Sequence, residues 1–261
     1  MVTGAGNGIG LALATALARE GARLVLADVD EAALDDARAS LVAQGTEAVA
    51  MRTDVSDRTQ VQALADRAWS AFGAVHVLCN NAGVAIWGGL DTASYRDWQW
   101  VLGVNLWGVI HGIEAFVPRM IAGGQPGHVV NTASMAGLVA TRGLGVYNTS
   151  KYAVVGLSET LAKDLKPYRI GVTVLCPMGV ATRIRASERN RPDALRNPSA
   201  ATPEPVELMG RTLAPDTVAA MTVAAIREDR LYVITHDEGL EPLRRRFERL
   251  EQSILDRKRP G

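Results

Sequence analysis

Two periods alternate along most of this chain. Short apolar runs bounded by Gly, Asp or Asn take turns with longer stretches whose apolar residues recur every three or four positions. Few architectures accommodate that pattern: strands that run parallel, each returned by a helix, stacked into one doubly wound α/β sheet with helices on both faces. The runs Arg23 to Asp28, Thr46 to Thr53, Val75 to Asn80, His128 to Thr132, Ile170 to Cys176 and Leu231 to Thr235 predict strands. A glycine-rich start leads into a helix to Glu20; Asp30 and Asp57 are placed to cap the next two; further helices cover Tyr147 to Leu165 and the segment from Pro215. At 261 residues the pattern fits a single domain over 1–261.

Composition narrows the function. Lys plus Arg and Asp plus Glu are 28 each, so no net field draws a polyanion, and a dedicated nucleic-acid binder is not expected. Cys79 and Cys176 each end an apolar run, with no Cys-x-x-Cys pair and no His cluster beside them; they read as buried thiols of a reducing compartment, and no metal site is expected. The longest apolar stretch, Val101 to Val117, is interrupted by Asn105, His111 and Glu114, and the glycine-rich start carries no positive charge. Neither a membrane span nor a leader is predicted, and a cytoplasmic location is expected.

Three segments raise further expectations. Asp97 to Ile121 reads as a long helix apolar all round, with Trp100, Val101, Val104, Leu106, Trp107, Val109, Ile110 and Ile113 unable to share one face; either a second subunit or other helices of the chain must cover it, and a homodimer or homotetramer is expected. Residues 183–212 carry four prolines and little periodicity, as a lid would. Its Arg183, Arg185, Arg189, Arg191 and Arg196 form either a positive lid over an anion or a solvated basic face. The terminal helix sets Leu240, Leu243, Phe247, Leu250 and Ile254 in a stripe that docks on the body or on a partner.

The chemistry begins at Thr3-Gly4-Ala5-Gly6-Asn7-Gly8-Ile9-Gly10. A glycine turn opening a helix lets backbone N–H groups approach a pyrophosphate; alternatively it only packs closely on the sheet. Asp28 ends the following strand eighteen residues after Gly10, placed to bond the hydroxyls of an adenosine ribose and repel a 2′-phosphate, unless it caps the next helix. Neither Asn7 nor Val29 brings a cation for that phosphate, so NAD is expected over NADP. Tyr147 and Lys151 stand four apart and share a helix face. A phenol, ordinarily titrating near ~10, serves as a base near neutrality only beside positive charge, which Lys151 supplies. Ser134, thirteen residues upstream, is placed to donate to a substrate oxygen.

Taken together and in order, the Thr3 to Gly10 turn, Asp54-Val55, Asn80-Asn81-Ala82-Gly83, Asn105, Ser134, Tyr147 with Lys151, and Pro177 through Thr182 resemble the short-chain dehydrogenase/reductase family over almost the whole chain. The resemblance implies a Rossmann-like fold and an alcohol dehydrogenase or ketone reductase. It implies Tyr147 as general acid/base, Ser134 holding the substrate oxygen, Lys151 lowering the phenol's pKa and binding the nicotinamide ribose, and Asn105 anchoring a relay water; the plainer reading of Asn105 is a buried amide satisfied by backbone. It further implies Gly4, Gly6, Asn7, Gly8, Ile9 and Gly10 along the pyrophosphate, Asp54 and Val55 at the adenine, Asn81, Ala82 and Gly83 under the ribose, and Pro177, Val180 and Thr182 near the carboxamide. A finer likeness, in Phe116 to Met120 and around Tyr232, is to members oxidising the benzylic alcohol of lignin-derived aryl ethers.

Two features depart from the family pattern. Only Met1 and Val2 precede Thr3, so either the natural start lies upstream or the sheet lacks its central strand. Met178 stands between Pro177 and Gly179, where the family often has Pro followed by Gly. The resemblance places Ile86, Trp87, Met135, Leu138, Leu144, Met178 and Met209 at the substrate, which points to a bulky apolar secondary alcohol or ketone, though some of these side chains are equally at home in a core. Two other readings stay open, a non-catalytic nucleotide sensor and a sugar-nucleotide epimerase or dehydratase. The first has no need of a proton relay, and relatives of the second carry a larger C-terminal domain.

Overall fold

The structure, a computed structural model, describes residues 1–197 and 210–257. Seven parallel strands form one sheet: β1 (Val2–Thr3), β2 (Leu24–Asp28), β3 (Ala48–Arg52), β4 (Val77–Asn80), β5 (Gly127–Thr132), β6 (Ile170–Cys176) and β7 (Tyr232–Ile234). Their order is β3-β2-β1-β4-β5-β6-β7. The order reverses between β1 and β4, and in open parallel sheets the crevice at such a switch, above the strands' carboxyl ends, takes the ligand.

The strands read as unbroken apolar runs because both faces are covered. Val25, Ala27, Leu78, Val129 and Val172 turn to one side, where α3 (Arg58–Phe72) and α5 (Gly108–Gly123) pack with Phe116. Their neighbours Leu24, Leu26, Cys79, Val130 and Leu175 turn to the other, under α1 (Gly8–Arg19), α2 (Glu31–Ala43) and α7 (Pro215–Arg227). Both cysteines are free and buried; burial pushes the Cys79 thiol up to about 11 and Cys176 to about 12. Asp30 caps α2 and Asp57 caps α3, each accepting from first-turn N–H groups.

The central position of the sheet is filled by the two-residue strand β1, paired with β2 and β4. Met1 is buried, and its ammonium donates to the Val77 carbonyl at 2.8 Å. Burial lowers the pKa of that ammonium.

The long apolar helix differs in detail from its expected form. It starts at α4 (Tyr95–Leu102), where Ser94 and Asp97 form a capping box that moves the start ahead of Asp97; it widens into a π-turn at Gly103–Trp107 and continues as α5. Trp100, Val101 and Val109 are buried against the chain itself, whereas Trp107 is 52 % exposed. By length and composition, Tyr95–Gly123 is apolar enough to cross a membrane, but more than half of it is buried inside the domain. A final helix, α8 (Leu240–Asp256), has no buried residue; Leu240, Phe247, Leu250 and Ile254 face outward, and of that stripe Leu243 packs on the body.

Candidate active site

The glycine turn owes its shape to contacts no side chain would permit. A Cβ on Gly10 would sit 1.9 Å from the Gly4 carbonyl oxygen, and one on Gly4, at φ +65°, would lie 2.9 Å from the Ala82 Cα. Gly8 has φ +56° and abuts the Thr182 methyl. Asp28 braces the turn: one carboxylate oxygen accepts from the Gly6 N–H at 2.8 Å and the other from the Asp30 N–H at 3.0 Å. Beneath it, the Thr3 hydroxyl accepts from the Asn81 and Ala82 N–H groups at 2.9 and 3.1 Å, and the Asn81 amide donates to the Thr3 carbonyl. Asn7, at the N-cap of α1, makes no side-chain cap, so the first N–H groups of that helix have no side-chain acceptor there.

From this turn a cleft of about 480 Å³ runs along the carboxyl edge of the sheet. Gly4, Asn7, Gly8, Ile9, Asp28, Asp54, Val55, Asn81, Ala82 and Gly83 line one half; Ser134, Tyr147, Lys151, Pro177, Val180 and Thr182 line the other. Gly6, Gly10 and Asn105 stand behind these residues and shape them. Asp54 accepts from the Ser56 N–H and hydroxyl, and the Val55 carbonyl is held by the His111 ring N–H at 2.9 Å.

Tyr147 and Lys151 lie one turn apart on α6 (Gly145–Leu165), and Ser134 follows β5. Tyr147 and Ser134 line the same end of the cleft, and Ser134 acts to lower the phenol's pKa. The Ser134 hydroxyl also donates to the Pro177 carbonyl at 3.3 Å and accepts from the Ala136 N–H at 3.1 Å. The Lys151 ammonium donates to the Thr132 carbonyl at 2.8 Å and stands 5.6 Å from the centre of the Tyr147 ring. Burial pushes the phenol up to about 12, with Ser134 pulling the other way, and lowers the ammonium to about 8. The net shift of the phenol is thus upward, the reverse of the direction expected from Lys151, because desolvation outweighs the lowering by Ser134. The Asn105 side chain accepts from the Val84 N–H at 2.8 Å and donates both amide protons, to the Val84 carbonyl and the Ser150 hydroxyl, and so holds the turn that carries Gly83 beside Lys151.

Beyond the phenol a second hollow, about 100 Å³, is lined by Trp87, Met135, Leu144 and Met178 with Gly239 and Pro242 of the C-terminal segment. Leu138 and Ile86 pack into the core instead. Met209 falls outside the described residues, as do Pro198, Pro203 and Pro205 of the expected lid.

The described part of residues 183–212, expected to form a lid, holds regular turns and buried bonds. Residues Arg183–Asn190 and Asp193–Leu195 form 3₁₀ turns. Arg191 is buried: its guanidinium donates to Asp97 at 2.7 Å, Glu188 at 3.0 Å and the Leu195 carbonyl, and lies over Trp100. The Ser187 hydroxyl accepts from the Ala85 N–H. A uniformly solvated basic face is therefore not what these arginines make. Arg191 anchors the segment, Arg196 pairs with Asp193 outside, and Arg183, Arg185 and Arg189 line the cleft, Arg185 over the Trp87 ring.

Comparison with known proteins agrees with this geometry. Residues 1–193 match the family model described as short chain dehydrogenase. The chain belongs to the short-chain dehydrogenase family. It is 33 % identical over 261 residues to the C alpha-dehydrogenase of Sphingobium sp., covering 97 % of this chain and 85 % of that one. A short-chain dehydrogenase/reductase from Burkholderia phymatum, solved in complex with NAD, superposes with a TM-score of 0.91 at 45 % identity, covering 97 % and 93 % of the two chains. A metagenomic short-chain oxidoreductase in complex with NADP superposes at 0.70 with 30 % identity, covering 89 % and 93 %.

This short-chain dehydrogenase is thus an oxidoreductase on a Rossmann-like sheet, and its cleft suits a nicotinamide dinucleotide on its own chemistry. The turn would lose its shape to any Cβ at Gly4 or Gly10, and the α1 N-terminus has no side-chain cap. Sequence reasoning missed four groups that hold the site: Thr3 under the Asn81 loop, His111 on the Val55 carbonyl, Ser187 on Ala85, and His236, whose ring N–H is shared by the Gly179 and Arg211 carbonyls at 3.1 and 3.0 Å. Each pairing spans a long separation in the chain, which no local pattern announces.

Proposed function

We propose that the protein is an NAD-dependent alcohol dehydrogenase or ketone reductase acting on a bulky apolar secondary alcohol or its ketone. The observation that carries this reading is the convergence of Tyr147, Ser134 and Lys151 at one end of the cleft whose other end is the glycine turn and Asp28. When bound, nicotinamide supplies the hydride acceptor or donor at the carbon bearing the substrate oxygen. Ser134 donates to that oxygen and fixes it within reach of Tyr147. The Tyr147 phenol receives the alcohol proton during oxidation and returns it during reduction. Lys151 places positive charge beside the phenol, and Asn105 holds the Gly83–Val84 turn against it, toward a water-borne proton exit. The bonds of the Asn105 side chain to Val84 and Ser150 support this positioning.

Asp28 supports a preference for NAD, since a carboxylate at the end of β2 repels a 2′-phosphate. The apolar hollow of Trp87, Met135, Leu144 and Met178 supports an aryl or alicyclic substrate, in keeping with the name of the Sphingobium relative. The outward Trp107 and the α8 stripe support a homodimer or homotetramer, which sedimentation would read as a multiple of the 27.8 kDa chain.

Fluorescence titration with NADH and NADPH tests the cofactor half: tight NADH and weak NADPH binding is expected, and equal affinities would remove Asp28 from the argument. The intact Ser134, Tyr147 and Lys151 set favours catalysis over nucleotide sensing. An epimerase would retain its cofactor and release no net NADH, which the same fluorescence follows.

A further inference from the structure

Three arginines of residues 183–197 line the large cleft; Arg185 lies over the Trp87 ring, and the other two, Arg183 and Arg189, have no part in the chemistry above. Arg183 directly follows Thr182, whose methyl abuts Gly8 of the glycine turn, so this length of chain crosses over the N-terminus of α1. The Arg189 guanidinium folds back to donate to the Arg183 and Ala186 carbonyls at 3.0 and 2.9 Å. Both side chains line the large cleft together with Gly4, Asn7 and Gly8, and neither lines the apolar hollow beyond Tyr147. Burial and then the neighbouring Arg183 charge lower the Arg189 pKa, while Asp30 and Asp28 pull it up.

The segment is held there firmly. Buried Arg191 ties it to Asp97 of α4, and Ser187 ties it to Ala85. Two guanidinium groups that line the same stretch of one cleft repel each other until an anion lies between them. The other wall of the cleft at this level is the glycine turn and the N-terminal end of α1, which favour the same sign of ligand.

We propose that Arg183 and Arg189 form a clamp for the phosphates of the dinucleotide, so that the lid is the second wall of the cofactor site and not solely a cover for the substrate. The inference rests on the dinucleotide reading above. It commits these arginines to phosphate rather than to a substrate carboxylate because they stand over Gly8 and near Asp28, away from the Trp87 and Met135 hollow. It also gives a reason for the buried Arg191–Asp97 pair, which positions the clamp without touching the ligand.

The experiment is a fluorescence titration with NADH, with ADP and adenosine as competitors, on wild type, the Arg183→Ala/Arg189→Ala double variant and the Arg183→Lys/Arg189→Lys double variant. The alanine variant should bind NADH and ADP about tenfold more weakly or worse, since charge-assisted bonds to phosphate are lost. Adenosine, which has no phosphate, should keep its affinity within about twofold, and the lysine variant should recover part of the loss. The salt dependence of NADH binding should also flatten in the alanine variant. NADH and ADP affinities unchanged by alanine, with wild type binding both, would overturn the clamp alone. Adenosine weakening in step with ADP would overturn it too, showing that the lid had merely collapsed. A wild type that binds neither NADH nor ADP would overturn the dinucleotide reading on which the clamp rests.

Discussion

Lys151 carries a titration that separates its role from simple packing. Burial lowers its ammonium to about 8 from the ordinary 10.5. In the unfolded chain the amine keeps its ordinary value, so between pH 8 and 10.5 the unfolded state binds the extra proton and the folded state gains stability as the pH rises; below about 8 the full penalty of a buried charge applies. Lys151→Met removes that penalty and the bond to Thr132. The melting temperature of the variant relative to wild type should therefore fall steadily as the pH is raised through that window. A difference that does not vary with pH would show that Lys151 is not titrating there. At the glycine turn the expectation is steric: a Gly10→Ala Cβ would meet the Gly4 carbonyl at 1.9 Å. That variant should lose NADH affinity and melt earlier, whereas Gly21→Ala, where a Cβ meets nothing within 4 Å but φ is +79°, should lose stability through backbone strain while keeping the affinity.

Among the elements, the lid segment and α4 behave as one unit through Arg191 and Asp97, whose side chains are 3 % and 10 % exposed. Burial pushes the Asp97 carboxyl up, but bonds from Ser94 and Arg191 outweigh it and hold the pKa below the usual value. Arg191→Ala leaves that carboxylate without its partner and should cost about 3 kcal/mol, read as a lower melting temperature at neutral pH. Acidification through the lowered Asp97 pKa should shrink the difference, because protonation removes the charge that the mutation orphans; a constant difference would place the loss in packing alone. This pair was not legible in the sequence. Arg191 and Asp97 are separated by 94 residues, and five arginines among prolines read alike until the fold buries one and turns three others to the cleft. The π-turn around Asn105 was hidden for a related reason, since its residues keep a helical apolar pattern while the backbone widens. What was legible came from local physics: Asp30 and Asp57 before apolar periodic stretches became caps, and Ile170 to Cys176, bounded by Pro177, became the strand β6.

At the scale of the molecule, the parallel sheet follows from alternation, and the switch between β1 and β4 follows from the sheet. Those two facts put the carboxyl ends of β1, β2, β4, β5 and β6 along one crevice. That is why residues as far apart as Gly4, Asp28, Asn81, Ser134 and Thr182 line a single cleft although the sequence shows them only as an ordered set. One feature belongs to the whole rather than to any stretch: the outward faces of Trp107 and α8, which no residue of the described chain covers. The central claim is that this cleft oxidises a secondary alcohol with Tyr147 as the proton carrier. Its most direct test is to follow formation of reduced nicotinamide from NAD and a panel of benzylic and alicyclic secondary alcohols, in wild type and Tyr147→Phe, with the NADH affinity of both proteins measured alongside. The account predicts turnover by wild type, an unchanged NADH affinity in the variant, and a rate about 10³-fold lower. Comparable rates in the two proteins, or no turnover of any alcohol by a wild type that binds NADH, would contradict it.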